Sequence, residues 1–199
     1  MKKRSKINEY IYTLAFTVVM TAICILGVSF AYQQSKARIQ LNSELFTKRA
    51  VLSAANIPAK GSPEEIAKAY AENITVSKHG DKEWYRTKTG DYVIPVTGTG
   101  LWGKIDAVIG FDKTFKTLTG ISFTANNETP GLGARITEKW FCEQFRDKKA
   151  PLSFVAEGTK SDKDNQFDAI TGATITTSAV RNMVNKTAKE APGMVWSGK

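Results

Sequence analysis

The sequence predicts an α+β fold: one N-terminal transmembrane helix, then a single domain with a small, mainly antiparallel sheet and flanking helices. Three observations carry this. Residues 10–32 contain no charged side chain, short β-rich runs gather between residues 74 and 124, and helical patterns lie on either side of them. Strands and helices do not alternate strictly, which argues against a doubly wound sheet.

The apolar run, YIYTLAFTVVMTAICILGVSFAY, is 23 residues long. At about 1.5 Å per residue it crosses a hydrocarbon core of about 30 Å. Tyr10, Tyr12 and Tyr32 fall near its ends, where amphipathic rings favour the headgroup region. Lys2, Lys3, Arg4 and Lys6 precede it, and only Lys36 and Arg38 follow closely. The positive-inside bias therefore predicts a cytoplasmic N-terminus and an extracytoplasmic main domain. A cleaved signal peptide is the competing reading, with Ser29 and Ala31 before the cut. The run exceeds the usual signal core of about 7–15 residues, which favours an uncleaved anchor. The expected organisation is a cytoplasmic N-terminus (1–9), a membrane helix (10–32), a stalk helix (33–60) and an extracytoplasmic domain (61–199).

Net charge is +9, of which +4 lies in the first 36 residues, so the domain carries only a thin excess. No basic run is interleaved with aromatics, and nucleic acid is not an expected partner. Ten Phe, six Tyr and four Trp exclude a disordered chain. Cys24 and Cys142 match neither a zinc nor a thiol-redox spacing, and His79 is the only histidine, so no metal site is expected. No catalytic residue stands out, and any chemistry is expected to come from a cofactor.

Downstream of the anchor, Ser62-Pro63-Glu64-Glu65 reads as a capping box opening a helix that ends near Asn73. Strand-like runs follow at 74–78, 82–87 and 91–96, separated by His79-Gly80-Asp81 and Thr89-Gly90. A Gly-rich link, 98–103, leads to stronger strands at 104–111 and 117–124, joined at Asp112-Lys113. Residues 138–146 read as a helix, Phe154-Val155 as a strand and 159–166 as a polar loop. A last helix is expected over 177–191, stopped by Pro192-Gly193.

Asp168-Ala169-Ile170-Thr171-Gly172-Ala173-Thr174 lies between that polar loop and the last helix. Small residues allow a ligand close to the backbone, and the helix start would turn free N–H groups and partial positive charge toward it, an arrangement suited to phosphate. Taken alone, the segment also fits plain N-capping by Thr176 or Thr177. Upstream, Glu128-Thr129-Pro130-Gly131-Leu132-Gly133 reads as a tight turn.

The first string resembles the flavinylation motif, Asp-x-x-Ser/Thr-Gly-Ala-Thr/Ser, of a family of FMN-binding proteins. Its members are the C subunit of the sodium-translocating NADH:quinone oxidoreductase and the G subunit of the Rnf electron-transport complex. The second is similar to the ETPGLG segment of the same family, in the expected order. Gly98 to Trp102 is similar to the Gly-x-Gly-Leu-Trp stretch of the quinone-oxidoreductase member. Ala169 departs from the glycine commonly found after the leading Asp.

The resemblance implies that a separate flavin transferase joins the FMN phosphate to Thr174 as a covalent phosphoester, with Asp168, Thr171, Gly172 and Ala173 forming the motif loop. It further implies FMN contacts from Glu128, Thr129, Gly131, Leu132 and Gly133, and from Arg135 to a phosphate or ribityl group. Trp102 either flanks the flavin or anchors the core beside the strand at Lys104. The implied function is an electron-relay subunit of a membrane complex that couples NADH or ferredoxin oxidation to Na+ or H+ translocation. A free-standing anchored flavoprotein serving external acceptors is the alternative. No dinucleotide fingerprint is present, so the chain alone is not expected to oxidise NADH.

Overall fold

A computed structural model of the chain describes residues 6–79 and 82–196. Lys2, Lys3, Arg4 and the Gly80-Asp81 turn lie outside them. The chain divides into two compact units, Met1–Glu44 and Leu45–Lys199.

Helix α1 spans Lys6–Ala54. In the first unit its large apolar side chains between Tyr10 and Tyr32 are exposed all round, and the helix is long and apolar enough to cross a membrane. The helix ends at Ala54, not at residue 60, and its last turns are no free stalk. Ala50, Val51, Leu52, Ala54 and Ala55 are buried with Ile66, Ile74, Tyr85, Val93 and Val108. The second unit thus begins at Leu45, sixteen residues before the boundary the sequence suggests. In sequence, the hydrophobic pattern of residues 45–55 is indistinguishable from that of an exposed amphipathic extension.

Helix α2 (Pro63–Asn73) opens with the expected capping box: the Glu65 N–H donates to the Ser62 hydroxyl at 3.3 Å, and the Ser62 N–H to the Glu65 carboxylate at 2.8 Å. Five antiparallel strands follow in chain order across one sheet: β1 (Ile74–His79), β2 (Lys82–Thr87), β3 (Tyr92–Thr99), β4 (Lys104–Phe111) and β5 (Leu118–Asn126). The period of two sorts their side chains onto two cores. Tyr85, Val93 and Val108 face the end of α1 and α2. Trp84, Tyr92, Ile94, Ile105, Ala107, Ile109 and Phe111 face a larger core with Phe141, Phe145, Phe167 and Val180.

The β4–β5 connection is wider than a two-residue hairpin. Asp112 accepts from the N–H groups of Thr114 and Lys116, each at 3.1 Å, and Phe115 is buried against Tyr92 with ring centroids 4.8 Å apart. A buried aromatic inside the loop is what lengthens it. Gly98 and Thr99 belong to β3, so the Gly-rich link is a hairpin turn, closed by Gly100 N–H to Gly103 C=O at 2.8 Å.

The predicted helix at 138–146 shrinks to α3 (Lys139–Glu143), beyond which Gln144 and Arg146 turn to other partners. Arg146 donates to the Asn56 side chain at 2.8 Å and to the Thr119 carbonyl at 3.1 Å. Strand β6 (Ser153–Val155) pairs in parallel with β7 (Gln166–Asp168), which puts Gln166 and Asp168 in a strand rather than a loop. Helix α4 runs Thr174–Trp196, three residues earlier than expected and straight through Pro192-Gly193. Ala191 and Val195 are buried, and that packing overrides the local stop signal.

The end of α1 docks where Gly110 pairs with Gly120. A Cβ on Gly110 would lie 2.1 Å from the Ala54 carbonyl oxygen, which instead accepts the Thr119 hydroxyl at 2.7 Å. Because Leu52 is fully buried here, Leu52→Ala is expected to cost about 2–5 kcal/mol in denaturant unfolding. A surface-like change of under about 0.5 kcal/mol would contradict this assignment of the helix end to the core.

Candidate functional site

Three loops carry the motif residues, and they meet at one buried carboxylate. Glu128 is 6% exposed. Its Oε1 accepts the Trp102 N–H at 3.0 Å, and its Oε2 accepts the Thr176 hydroxyl at 2.5 Å. The β3–β4 turn, the Glu128–Gly133 segment and the first turn of α4 are thereby held together. Glu128 thus acts as an internal tie between these loops. Gly133 explains how the tie fits: a Cβ there would sit 2.6 Å from Glu128 Oε2 and 2.7 Å from Thr176 Oγ1.

The Glu128–Gly133 segment makes the tight turn its Pro-Gly pair predicts. The Thr129 carbonyl accepts from the N–H groups of Leu132 and Ala134, both at 3.1 Å, with Gly131 at φ +76°. The Thr129 side chain is exposed. The motif loop contains a second turn of the same kind: Ala173 N–H donates to Ile170 C=O at 3.0 Å, with Gly172 at φ +78°. The turns face each other, since Leu132 Cδ2 lies 3.0 Å from where a Gly172 Cβ would be. Ala173 is buried beneath.

Thr174 follows this turn as the first residue of α4, and it is exposed. The first N–H groups of an α-helix have no partner within it and present partial positive charge. Thr176 and Thr177 do not cap the helix. The Thr177 hydroxyl accepts the Ile170 N–H at 3.2 Å and donates to the Ala173 carbonyl at 3.0 Å, while Thr176 serves Glu128. The hydroxyls that looked like alternative caps instead bind the turn and Glu128 to the helix, while Thr174 is exposed. A cleft of about 350 Å³ lies beside it, lined among others by Phe154, Glu157, Ile170, Thr171 and Gly172.

Asp168, the leading acid of the motif, is buried. Its carboxylate accepts the N–H groups of Gly158 (2.8 Å) and Lys160 (3.0 Å), and its backbone is bracketed by the Gln144 amide. Arg135 is likewise engaged by groups of the protein. It forms a two-pronged ion pair with Glu157 (2.8 and 3.3 Å), approaches Glu138 at 3.5 Å and lies over the Trp140 ring. Glu157 accepts the Thr171 N–H as well, at 2.7 Å. These hydrogen bonds hold its carboxyl down at about 2. Nothing in the sequence marks Glu157 or Gln144, which are single polar residues outside any motif.

Trp102 is 68% exposed, so it is not a core anchor. Leu101, Leu132 and Ile175 are exposed too, leaving large apolar side chains unburied on all three loops. Exposed apolar groups beside a helix N-terminus with a free hydroxyl fit a ligand that joins a flat apolar ring to a phosphate. Among the described residues no cluster of His, Cys, Asp or Glu could hold a metal ion. Cys142 donates to the Ile136 carbonyl, and burial pushes its thiol up to about 12, the behaviour of an inert thiol.

Gly133→Ala should destabilise the domain by about 1–3 kcal/mol, because its Cβ forces Glu128 from Thr176; thermal unfolding reads this. Glu157, lowered from 4.5 to about 2 by Arg135 and the Thr171 amide, stabilises the folded loop at any pH above about 4.5. That contribution falls away between about 4.5 and 2, and protection of the Thr171 amide, its exchange rate taken relative to the intrinsic rate at each pH, should fall as pH drops through this window and stay constant above it.

Known proteins resemble this chain in sequence and in fold. Residues 100–189 match the family described as FMN-binding domain, which bears out the resemblance read from the motifs. Over 116 residues the chain is 35% identical to the G subunit of the proton-translocating ferredoxin:NAD(+) oxidoreductase complex of Clostridium ljungdahlii, covering 56% of this chain and 61% of that protein. It is 24% identical to the C subunit of the Na(+)-translocating NADH-quinone reductase of Vibrio anguillarum, over 85% of this chain and 87% of the relative. The matched stretches span 61% and 54% of two relatives from ferredoxin:NAD(+) oxidoreductase complexes. The crystal structure of the C subunit of the Na(+)-translocating NADH-quinone reductase from Parabacteroides distasonis has the same fold, with TM-score 0.65, 23% identity, and coverage of 78% of this chain and 94% of that one.

Proposed function

We propose that this chain, with its FMN-binding domain over residues 100–189, is an electron-relay subunit of an ion-translocating oxidoreductase complex, carrying FMN as a phosphoester on Thr174. The observation that carries the reading is the placement of Thr174. Its exposed side chain stands at the first residue of α4 and lines a cleft, two residues before Thr176, through which Glu128 ties the other motif-bearing loops to this helix.

Forming the ester replaces the Thr174 O–H by an Oγ–P bond. The phosphoryl group comes from a phosphoanhydride such as a flavin dinucleotide. The donor's P–O bond breaks, its nucleoside monophosphate leaves and the hydroxyl proton goes to solvent. A flavin transferase performs this step during maturation, so Thr174 is an attachment residue and not a nucleophile in turnover. The first turn of α4 offsets the phosphate charge. Leu132, Ile175, Leu101 and Trp102 would offer the ring apolar faces, with Thr129, Gly131 and Gly172 allowing the backbone close approach. Bound FMN supplies the electron transfer, and the protein supplies position and electrostatics.

The span at residues 10–32 anchors the chain, with the N-terminus cytoplasmic and the domain extracytoplasmic. There a dissociated cofactor is not readily replaced, and a covalent link removes dissociation. Partners are other membrane subunits of a redox-driven Na+ or H+ pump fed by NADH or ferredoxin. Similarity to named subunits of such complexes supports this reading.

Mass spectrometry of the chain from its native host should show an addition of about 438 Da, the mass of FMN less water. It should survive denaturation and vanish in Thr174→Ala. A chain of unmodified mass overturns the attachment.

A further inference from the structure

The motif loop is held by a closed circuit of hydrogen bonds that runs through a residue outside every motif. Asp168 opens the circuit by accepting the N–H groups of Gly158 and Lys160, which fixes the loop carrying Glu157. Glu157 returns to the motif and accepts the Thr171 N–H at 2.7 Å. Thr171 is the second residue of the turn closed from Ala173 to Ile170, and Thr174 starts α4 one residue later. The N–H at that corner of the turn points out of the turn and has no partner within it. An acceptor there fixes the plane of the Ile170–Thr171 peptide, and with it the path into Thr174. Arg135 then clamps Glu157 through two N–H groups, tying this circuit to the segment that carries Leu132 and Gly133.

We propose that Glu157, clamped by Arg135 on the Thr171 N–H, is a positioning residue that presets the turn for attachment of FMN to Thr174. It acts through Thr171 and does not touch the flavin. The inference rests on the function proposed above and goes beyond it, since Arg135 is assigned to a protein carboxylate and not to the phosphate. Glu157 and Thr174 line the same cleft, so a carboxylate is kept close to an incoming phosphate. The Arg135 guanidinium offsets that repulsion, which is why the clamp must be cationic as well as geometrically matched.

Four full-length chains in unmodified form separate the possibilities: wild type, Glu157→Gln, Glu157→Ala and the charge swap Arg135→Glu/Glu157→Arg. Gln retains an acceptor for the Thr171 N–H. Ala removes it, and the swap restores an ion pair without an acceptor on the amide. Glu157 is partly exposed and belongs to neither hydrophobic core, so its truncation opens no core. Each chain is given a flavin transferase with a flavin dinucleotide, and loading is followed by mass. Exchange of the Thr171 amide is measured separately in the unloaded chains.

Glu157→Ala and the swap should load about tenfold more slowly or worse, with Thr171 exchange raised by a similar factor, while Glu157→Gln stays within about threefold of wild type. The proposal is overturned if Glu157→Ala loads like wild type, or if the swap recovers full loading. Failure of the wild type itself to load removes the proposed function instead. In that event the amide exchange still decides whether Glu157 holds the turn: unchanged exchange in Glu157→Ala refutes it.

Discussion

A carboxylate taken out of water must find donors that replace its hydration, and Glu128 finds them on two different parts of the chain. That requirement organises the functional end of the domain. The Trp102 N–H brings in the β3–β4 turn, and the Thr176 hydroxyl brings in the first turn of α4. Unmaking either contact would leave a buried acceptor short of a partner, a cost of about 1–3 kcal/mol. The absence of a side chain at Gly133 provides the room, and an extra methyl group there would part the two oxygens. The motif residues therefore sit on loops whose relative placement is set by one buried carboxylate and its two donors, and not by the loops' own preferences.

The larger scaffold follows a different logic. The sheet is buried on both faces, so its strands sort their side chains between an aromatic core and the last turns of α1 with α2. Approach of the helix end to the sheet depends on two paired glycines and on the Ala54 carbonyl finding the Thr119 hydroxyl. The last turns of α1 thus belong to the core of the second unit. A boundary placed at the first glycine after the helix cuts through that core, because an apolar stripe records burial without naming what buries it.

Residues legible in the sequence share a local cause. The capping box at Ser62, the Pro130-Gly131 turn and the period-two strands are dictated by neighbours within a few positions, and they stand where expected. Local signals misled where distant contacts outweighed them. Pro192-Gly193 does not end α4, since Ala191 and Val195 are gripped by the core. Thr176 and Thr177 do not cap α4, because their hydroxyls are claimed by Glu128 and by the turn at residues 170–173. Glu157 and Gln144 had no signal at all: a lone polar side chain acquires meaning only from what lies across the loop.

The sequence by itself determined the kind of fold, the apolar stretch, and the motifs that resemble those of FMN-binding domains, because these are written in composition, periodicity and short strings. Tertiary structure alone decided what each motif residue does. It turned Asp168 and Glu128 inward as ties, paired Arg135 with Glu157, and left Thr174 and Trp102 exposed. The physical reason is that a side chain's role depends on which donors and acceptors reach it. Here the decisive partners are 8 to 48 positions apart in the chain.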